Sequence, residues 1–122
     1  MTIETLPGLF SVCRVRSLPE TEDWPEYTFA ARTDQEFSLV CPSSHAPLDA
    51  LERDDGWRGF RITGQLDFSL IGILARISEI LASNEIGIFA ISTYNTDYVF
   101  TKEENFRKAM DALRGAGYEI EE

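Results

Sequence analysis

The sequence predicts an α+β chain made of two successive β-α-β-β-α-β units, the second well formed and the first degenerate. Three observations carry this. Residues 59–122 alternate short strand-like runs with two helical stripes, in the order strand, helix, strand, strand, helix, strand. Residues 1–58 repeat that order with an acidic loop where the first helix should stand. The chain has 122 residues, 43% of them hydrophobic, which is core material for one ordinary domain or two very small ones.

In the first half, residues 9–18 alternate as a strand does, with Phe10, Val12, Arg14 and Arg16 on one face and Leu9, Ser11, Cys13 and Val15 on the other. Residues 19–25 (Pro-Glu-Thr-Glu-Asp-Trp-Pro) read as a loop with at most one helical turn. Residues 27–32 and 36–41 are two short strands, joined through Thr33-Asp34-Gln35 as a tight hairpin. Residues 46–53, with Leu48 and Leu51 spaced i, i+3, are expected to form a short helix that ends at Asp54-Asp55-Gly56.

The second half is clearer. Residues 57–66 read as a strand carrying Phe60, Ile62 and Leu66, and Asp67 or Ser69 offers an N-cap oxygen to the helix that follows. That helix is expected over residues 70–83, where Leu70, Ile71, Leu74, Ile77, Ile80 and Leu81 fall on one stripe, and Asn84 is expected to end it in a left-handed conformation. Residues 86–93 form a strand that is apolar on both faces, so it is covered on both sides or lies at an interface. Asn95-Thr96 turns the chain into a strand at 97–101. Thr101-Lys102-Glu103-Glu104 reads as a capping box opening a helix whose stripe is Phe106, Ala109, Met110 and Leu113. Gly115 and Gly117 stop that helix, and residues 118–120 are a last strand. This is the split βαβ, ferredoxin-like arrangement, with the domain boundary expected between residues 58 and 59.

Composition excludes several function classes. The net charge is −10, from 21 acidic and 11 basic residues, which opposes binding to nucleic acid, where Lys and Arg must displace counterions. No apolar run reaches the roughly 18–20 residues that span a bilayer. The first residues lack the basic start and long apolar stretch of a signal peptide, so the expected setting is the cytoplasm, with no membrane contact. Cys13 and Cys41 lie in apolar runs and are expected as small buried hydrophobes. One histidine, His45, and two cysteines make neither a zinc site nor a nucleophilic triad, so no metal, cofactor or catalytic residue is expected. The stretch Gly56-Trp57-Arg58-Gly59 has neither the lysine nor the spacing of a phosphate loop.

Two segments carry polar chemistry. The segment 64–72 joins a strand to a helix N-terminus, where free N–H groups and the helix dipole favour an anionic group such as a carboxylate. The bland alternative is that Asp67 is a simple N-cap and Gly72 a packing contact. The segment 91–98 (Ile-Ser-Thr-Tyr-Asn-Thr-Asp-Tyr) concentrates hydroxyl and amide groups at a strand-to-strand turn, where they either meet a ligand or satisfy their own backbone. In this topology the start of the strand at Ile86, rather than the 93–96 turn, is expected to adjoin the loop at Asp67.

The stretches Gly64-Gln-Leu-Asp-Phe-Ser-Leu-Ile-Gly-Ile-Leu-Ala and Ile86-Gly-Ile-Phe-Ala-Ile-Ser-Thr-Tyr-Asn-Thr-Asp-Tyr-Val resemble the ACT-domain family, in the branch that includes the ACT modules of CASTOR arginine sensors and small bacterial two-ACT proteins. The resemblance is strong over residues 59–118, and the first half is similar to the degenerate ACT module that precedes it in that branch. It implies two tandem ferredoxin-like ACT modules and a regulatory protein, without catalytic activity, that binds an amino acid or related metabolite. A homodimer and an unidentified regulated protein are the implied partners. The ligand site it implies draws on Asp67, Phe68, Ser69, Leu70, Ile71 and Gly72 after the first strand, and on Ile86, Gly87 and Ile88 at the paired interface. Thr93, Tyr94, Asn95 and Thr96 in the matching turn complete the candidate set. Two readings compete: a dimerising adaptor that has lost its ligand, and a small enzyme using Asp67 or Asp97 as a base.

Overall fold

The computed structural model, which describes residues 1–63 and 72–122, places a strand β1 at Thr2–Thr5, a stretch used above only to argue against a signal peptide. The strands that follow among the described residues are β2 (Phe10–Val15), β3 (Phe29–Arg32), β4 (Phe37–Pro42), β5 (Glu52–Thr63), β6 (Ile88–Ser92), β7 (Asp97–Lys102) and β8 (Glu119–Glu121). Two helices, α1 (Ile73–Ser83) and α2 (Glu103–Gly115), join them, with single 3-10 turns at Thr21–Asp23 and Ser43–His45. The chain divides into two units. The larger is Met1–Pro7 with Arg58–Glu122, the smaller is Gly8–Trp57, and β5 contributes to each.

In the larger unit the strand order is β6-β7-β5-β1-β8. β1 runs antiparallel to β5, with Ile3 opposite Ile62 and Thr5 opposite Phe60, and parallel to β8, with Ile3 opposite Ile120. The N-terminal strand thus stands between the two strands expected to open and close this unit. Ile3 is fully buried and joins a core of Phe60, Ile62, Val99, Ile77 and Leu81 of α1, and Met110 and Leu113 of α2. Both helices bury their stripes in this one cluster, as their 3.6-residue spacing requires. Phe106, Ala109, Met110 and Leu113 are the buried residues of α2, the stripe read from the sequence.

Helix ends depart from expectation. Gly72, expected within the first turn, is instead the N-cap of α1, with φ 82. A left-handed backbone there suits a residue without Cβ. The proposed caps Asp67 and Ser69, with Leu70 and Ile71 of the expected first turn, lie outside the described residues. Asn84 is not left-handed, at φ −102; Glu85 takes that conformation at φ 60. The capping box is absent as well. Thr101 belongs to β7, is fully buried, and donates its hydroxyl proton to the Lys102 carbonyl at 3.2 Å. The N-cap of α2 is Lys102 rather than Thr101, and Glu103 and Glu104 in the first turn remain to complement the dipole.

In the smaller unit the strand order is β3-β4-β2-β5. The β3–β4 hairpin closes with Arg32 opposite Phe37, and the Thr33 amide donates to Glu36 O at 3.0 Å. The helix expected over residues 46–53 does not form. Residues 52–55 extend β5 instead, because β2 offers them partners: Arg14 pairs with Glu52 at 2.6 Å, buried Ser11 donates to Asp55 at 2.5 Å, and the Leu51 amide reaches Arg14 O at 2.8 Å. Leu48, half of the expected apolar stripe, is 101% exposed and has nothing to pack on. Cys13, Val15, Leu39, Cys41 and Ala46 form the unit's core. Both cysteines are buried free thiols.

Candidate functional site

The expected site residues separate into two groups at opposite ends of α1. Gly72 stands at its N-terminus, where its carbonyl accepts from the Arg76 amide at 2.9 Å. Ile86 stands at its C-terminus, where its amide donates to Leu81 O at 3.0 Å. Eleven helical residues, about 16 Å at 1.5 Å per residue, lie between them. Gly87 and Ile88 belong to the C-terminal group, and Ile88 pairs with Thr101 at the far end of β7. Asp67, Phe68, Ser69, Leu70 and Ile71 lie outside the described residues.

The turn at 93–96 falls at the other end, against the expectation that Ile86 would be the neighbour of the 64–71 segment. The buried Thr96 hydroxyl donates to the Ile62 carbonyl at 2.7 Å, one residue before β5 ends at Thr63. Strand direction explains the reversal. β7 passes β5 so that Thr96, Tyr98 and Phe100 meet Ile62, Arg61 and Gly59 in turn. The β6–β7 turn therefore stands where the chain leaves β5.

Local chemistry holds the turn. The Thr93 amide and hydroxyl both donate to Thr96 O at 2.9 Å, and the Thr96 amide donates back to Thr93 Oγ1 at 3.3 Å. These bonds satisfy the backbone in the manner of an ST-turn, so the threonine hydroxyls serve structure first. Tyr94 is 92% exposed at the tip. Ser92 donates to Asp97 Oδ1 at 2.6 Å across the base of the turn.

A cavity of about 230 Å³ opens beside it, lined by Glu4, Arg61, Ile62, Thr63, Asn95 and Thr96. Arg61 is held there by an ion pair with Glu4, with its Nε at 2.6 Å from Glu4 Oε1, and its Nη1 lies 3.5 Å from the Tyr98 hydroxyl. Sequence reasoning missed Glu4 and Arg61. Arg61 interrupts the apolar alternation between Phe60 and Ile62, and that was the available signal; Glu4 became its partner only through the unforeseen β1. Among the described residues no group of three or more His, Cys, Asp or Glu is arranged to hold a metal ion. Nor is any described helix long and apolar enough to cross a membrane.

Comparison with known proteins adds to this geometry. A family model described as ACT domain matches residues 52–115. The human cytosolic arginine sensor for mTORC1 subunit 1 is 37% identical over 59 residues, covering 48% of this chain and 18% of the sensor. The rat sensor is 30% identical over 110 residues, 79% of this chain and 31% of its own length. The chain thus spans under a third of the curated relatives it matches. A crystal structure from Agrobacterium tumefaciens superposes with a TM-score of 0.87 at 30% identity, covering 98% of this chain and 90% of that one. Aspartate kinase from Synechocystis shares the fold at a TM-score of 0.67 and 16% identity, over 99% of this chain and 27% of the kinase. With the family model matched over just more than half of its length, the chain belongs to the ACT-domain family.

Proposed function

We propose that this protein binds an amino acid and acts as a regulatory module with no reaction of its own. The observation that supports this best is the Thr96–Ile62 hydrogen bond, which fixes a hydroxyl- and amide-rich turn beside the end of β5. From there the chain leads through Asp67 to the start of α1. That helix opens on Gly72, which has no side chain to cap the first N–H groups, and no acidic residue stands in its first turn. Such an N-terminus favours a carboxylate. Asn95 is the turn residue proposed to contact the ligand, with Thr96 holding the turn in place, and Asp67 is the group proposed to meet the ligand's ammonium. A net charge of −10 favours a cationic ligand, and the arginine sensors among the relatives make arginine the first to test.

In this reading the protein is a cytoplasmic homodimer, and residues 1–58 hold a degenerate ACT-like module preceding the complete one. A thermal-shift screen of the twenty amino acids tests the function. A ligand at about 100 times its Kd stabilises the protein by roughly 2.7 kcal/mol. Arginine or another amino acid is expected to raise Tm, and Asp67→Ala to abolish the shift. No shift with any amino acid would remove the sensor reading; a shift unchanged in Asp67→Ala would move the site elsewhere.

A further inference from the structure

A second cavity, of about 390 Å³, lies wholly within the smaller unit. Its size falls within the usual range for small-molecule sites. The sheet face that a complete βαββαβ unit would cover with a helix is here covered by loops and 3-10 turns. Val15, Leu39 and Cys41, exposed by 5%, 3% and 1%, make its apolar floor. Trp24 lines one side, and its indole N–H is engaged by the Pro19 carbonyl at 3.2 Å. The Thr28 hydroxyl donates to Pro25 O at 2.8 Å and braces the same loop. Burial pushes the Cys41 thiol up to about 11, so the floor carries no charge at neutral pH.

Ser17, His45 and three prolines also line it, together with charged side chains of both signs, Arg16, Asp23 and Asp49. Nearby arginines are paired, Arg14 with Glu52 and Arg53 with Asp55. Among the described residues Arg16, Asp23 and Asp49 enter no ion pair, with each other or with anything else. Opposite charges around one cavity that do not close on each other leave room between them for a molecule carrying both charges.

We infer that this cavity is a binding site for a small zwitterion with an apolar body, the chemistry of an α-amino acid with a branched or aromatic side chain. Arg16 takes the carboxylate, Asp23 and Asp49 take the ammonium, and the side chain lies on Val15, Leu39 and Trp24. The site is independent of the one proposed in the larger unit, and of whether that one binds anything.

The test uses the full chain with Trp57→Phe, which leaves Trp24 as the single indole. Leucine, isoleucine and phenylalanine are titrated to about 10 mM, with Trp24 emission as the readout. A saturable change is expected with at least one of them. Arg16→Ala and Asp49→Asn, both at exposed positions, are expected to weaken it about tenfold or more while leaving the urea midpoint unchanged. Asp67→Ala is expected to leave the Trp24 signal intact even if it abolishes a thermal shift with another ligand. No saturable change with any of the three overturns the proposal. So does a signal that survives in Arg16→Ala and Asp49→Asn, or one lost in Asp67→Ala.

Discussion

The hydroxyl of Thr96 is the side-chain contact that ties the 93–96 turn to β5. It is 8% exposed and donates at 2.7 Å to the Ile62 carbonyl. Thr96→Val keeps the shape and removes the donor, leaving a buried carbonyl short of a partner. Such a loss costs about 1–3 kcal/mol, more than the net value of an ordinary hydrogen bond, because desolvation is no longer offset. Urea denaturation should show that loss, and amino-acid affinity should weaken as the turn moves. A change under about 0.5 kcal/mol would mean that water or relaxation replaces the bond, and the turn's position would need another cause. The sequence announced the polar content of this turn but not its placement. Thr93, Asn95 and Thr96 are visible as turn residues; that they stand beside Ile62 depends on the direction of β7 relative to β5, which no local pattern carries.

At the scale of elements, what was legible follows the range of the interactions involved. The α2 stripe of Phe106, Ala109, Met110 and Leu113 is a local periodicity, and the structure buries those residues. β1 escaped notice because Thr-Ile-Glu-Thr has a single apolar residue and its partners lie at 60–63 and 119–121. The missing 46–53 helix is the opposite error, in which a weak local signal lost to non-local pairing. Leu48 and Leu51 are spaced for a helix, but Glu52 and Asp55 have partners on β2. The strand that was missed is central to the larger unit, since Ile3 is 0% exposed and packs in its main core. Ile3→Ala should therefore cost about 2–5 kcal/mol, in the range of buried aliphatic truncations elsewhere. Urea denaturation measures it. A cost below about 1 kcal/mol would place β1 among the frayed termini rather than in the core.

At the scale of the whole molecule, among the described residues β6 pairs only with β7 and stands as an edge strand of the larger unit. An edge strand is normally protected by charge, proline or a bulge. Residues 88–92 (Ile-Phe-Ala-Ile-Ser) have none of these, and Ile88, Phe89 and Ile91 are only partly buried while Ala90 is exposed. Phe89 stacks on Phe100 of β7 with centroids 4.7 Å apart. The two-faced apolar pattern of this strand, read in the sequence as covered or at an interface, is left half-covered by its own chain. A second copy pairing along β6 would complete it, and this is the basis of the proposed homodimer. Light scattering behind size exclusion should give twice the 13.8 kDa chain mass at micromolar concentration. Ile91→Lys, which places a charge on the open edge, should shift the population to monomer with little effect on the fold. A wild-type protein that elutes as a monomer at about 100 μM would remove the dimer, because edge-paired association of useful strength is complete well below that concentration. A dimer untouched by Ile91→Lys would keep the assembly and place its interface away from β6.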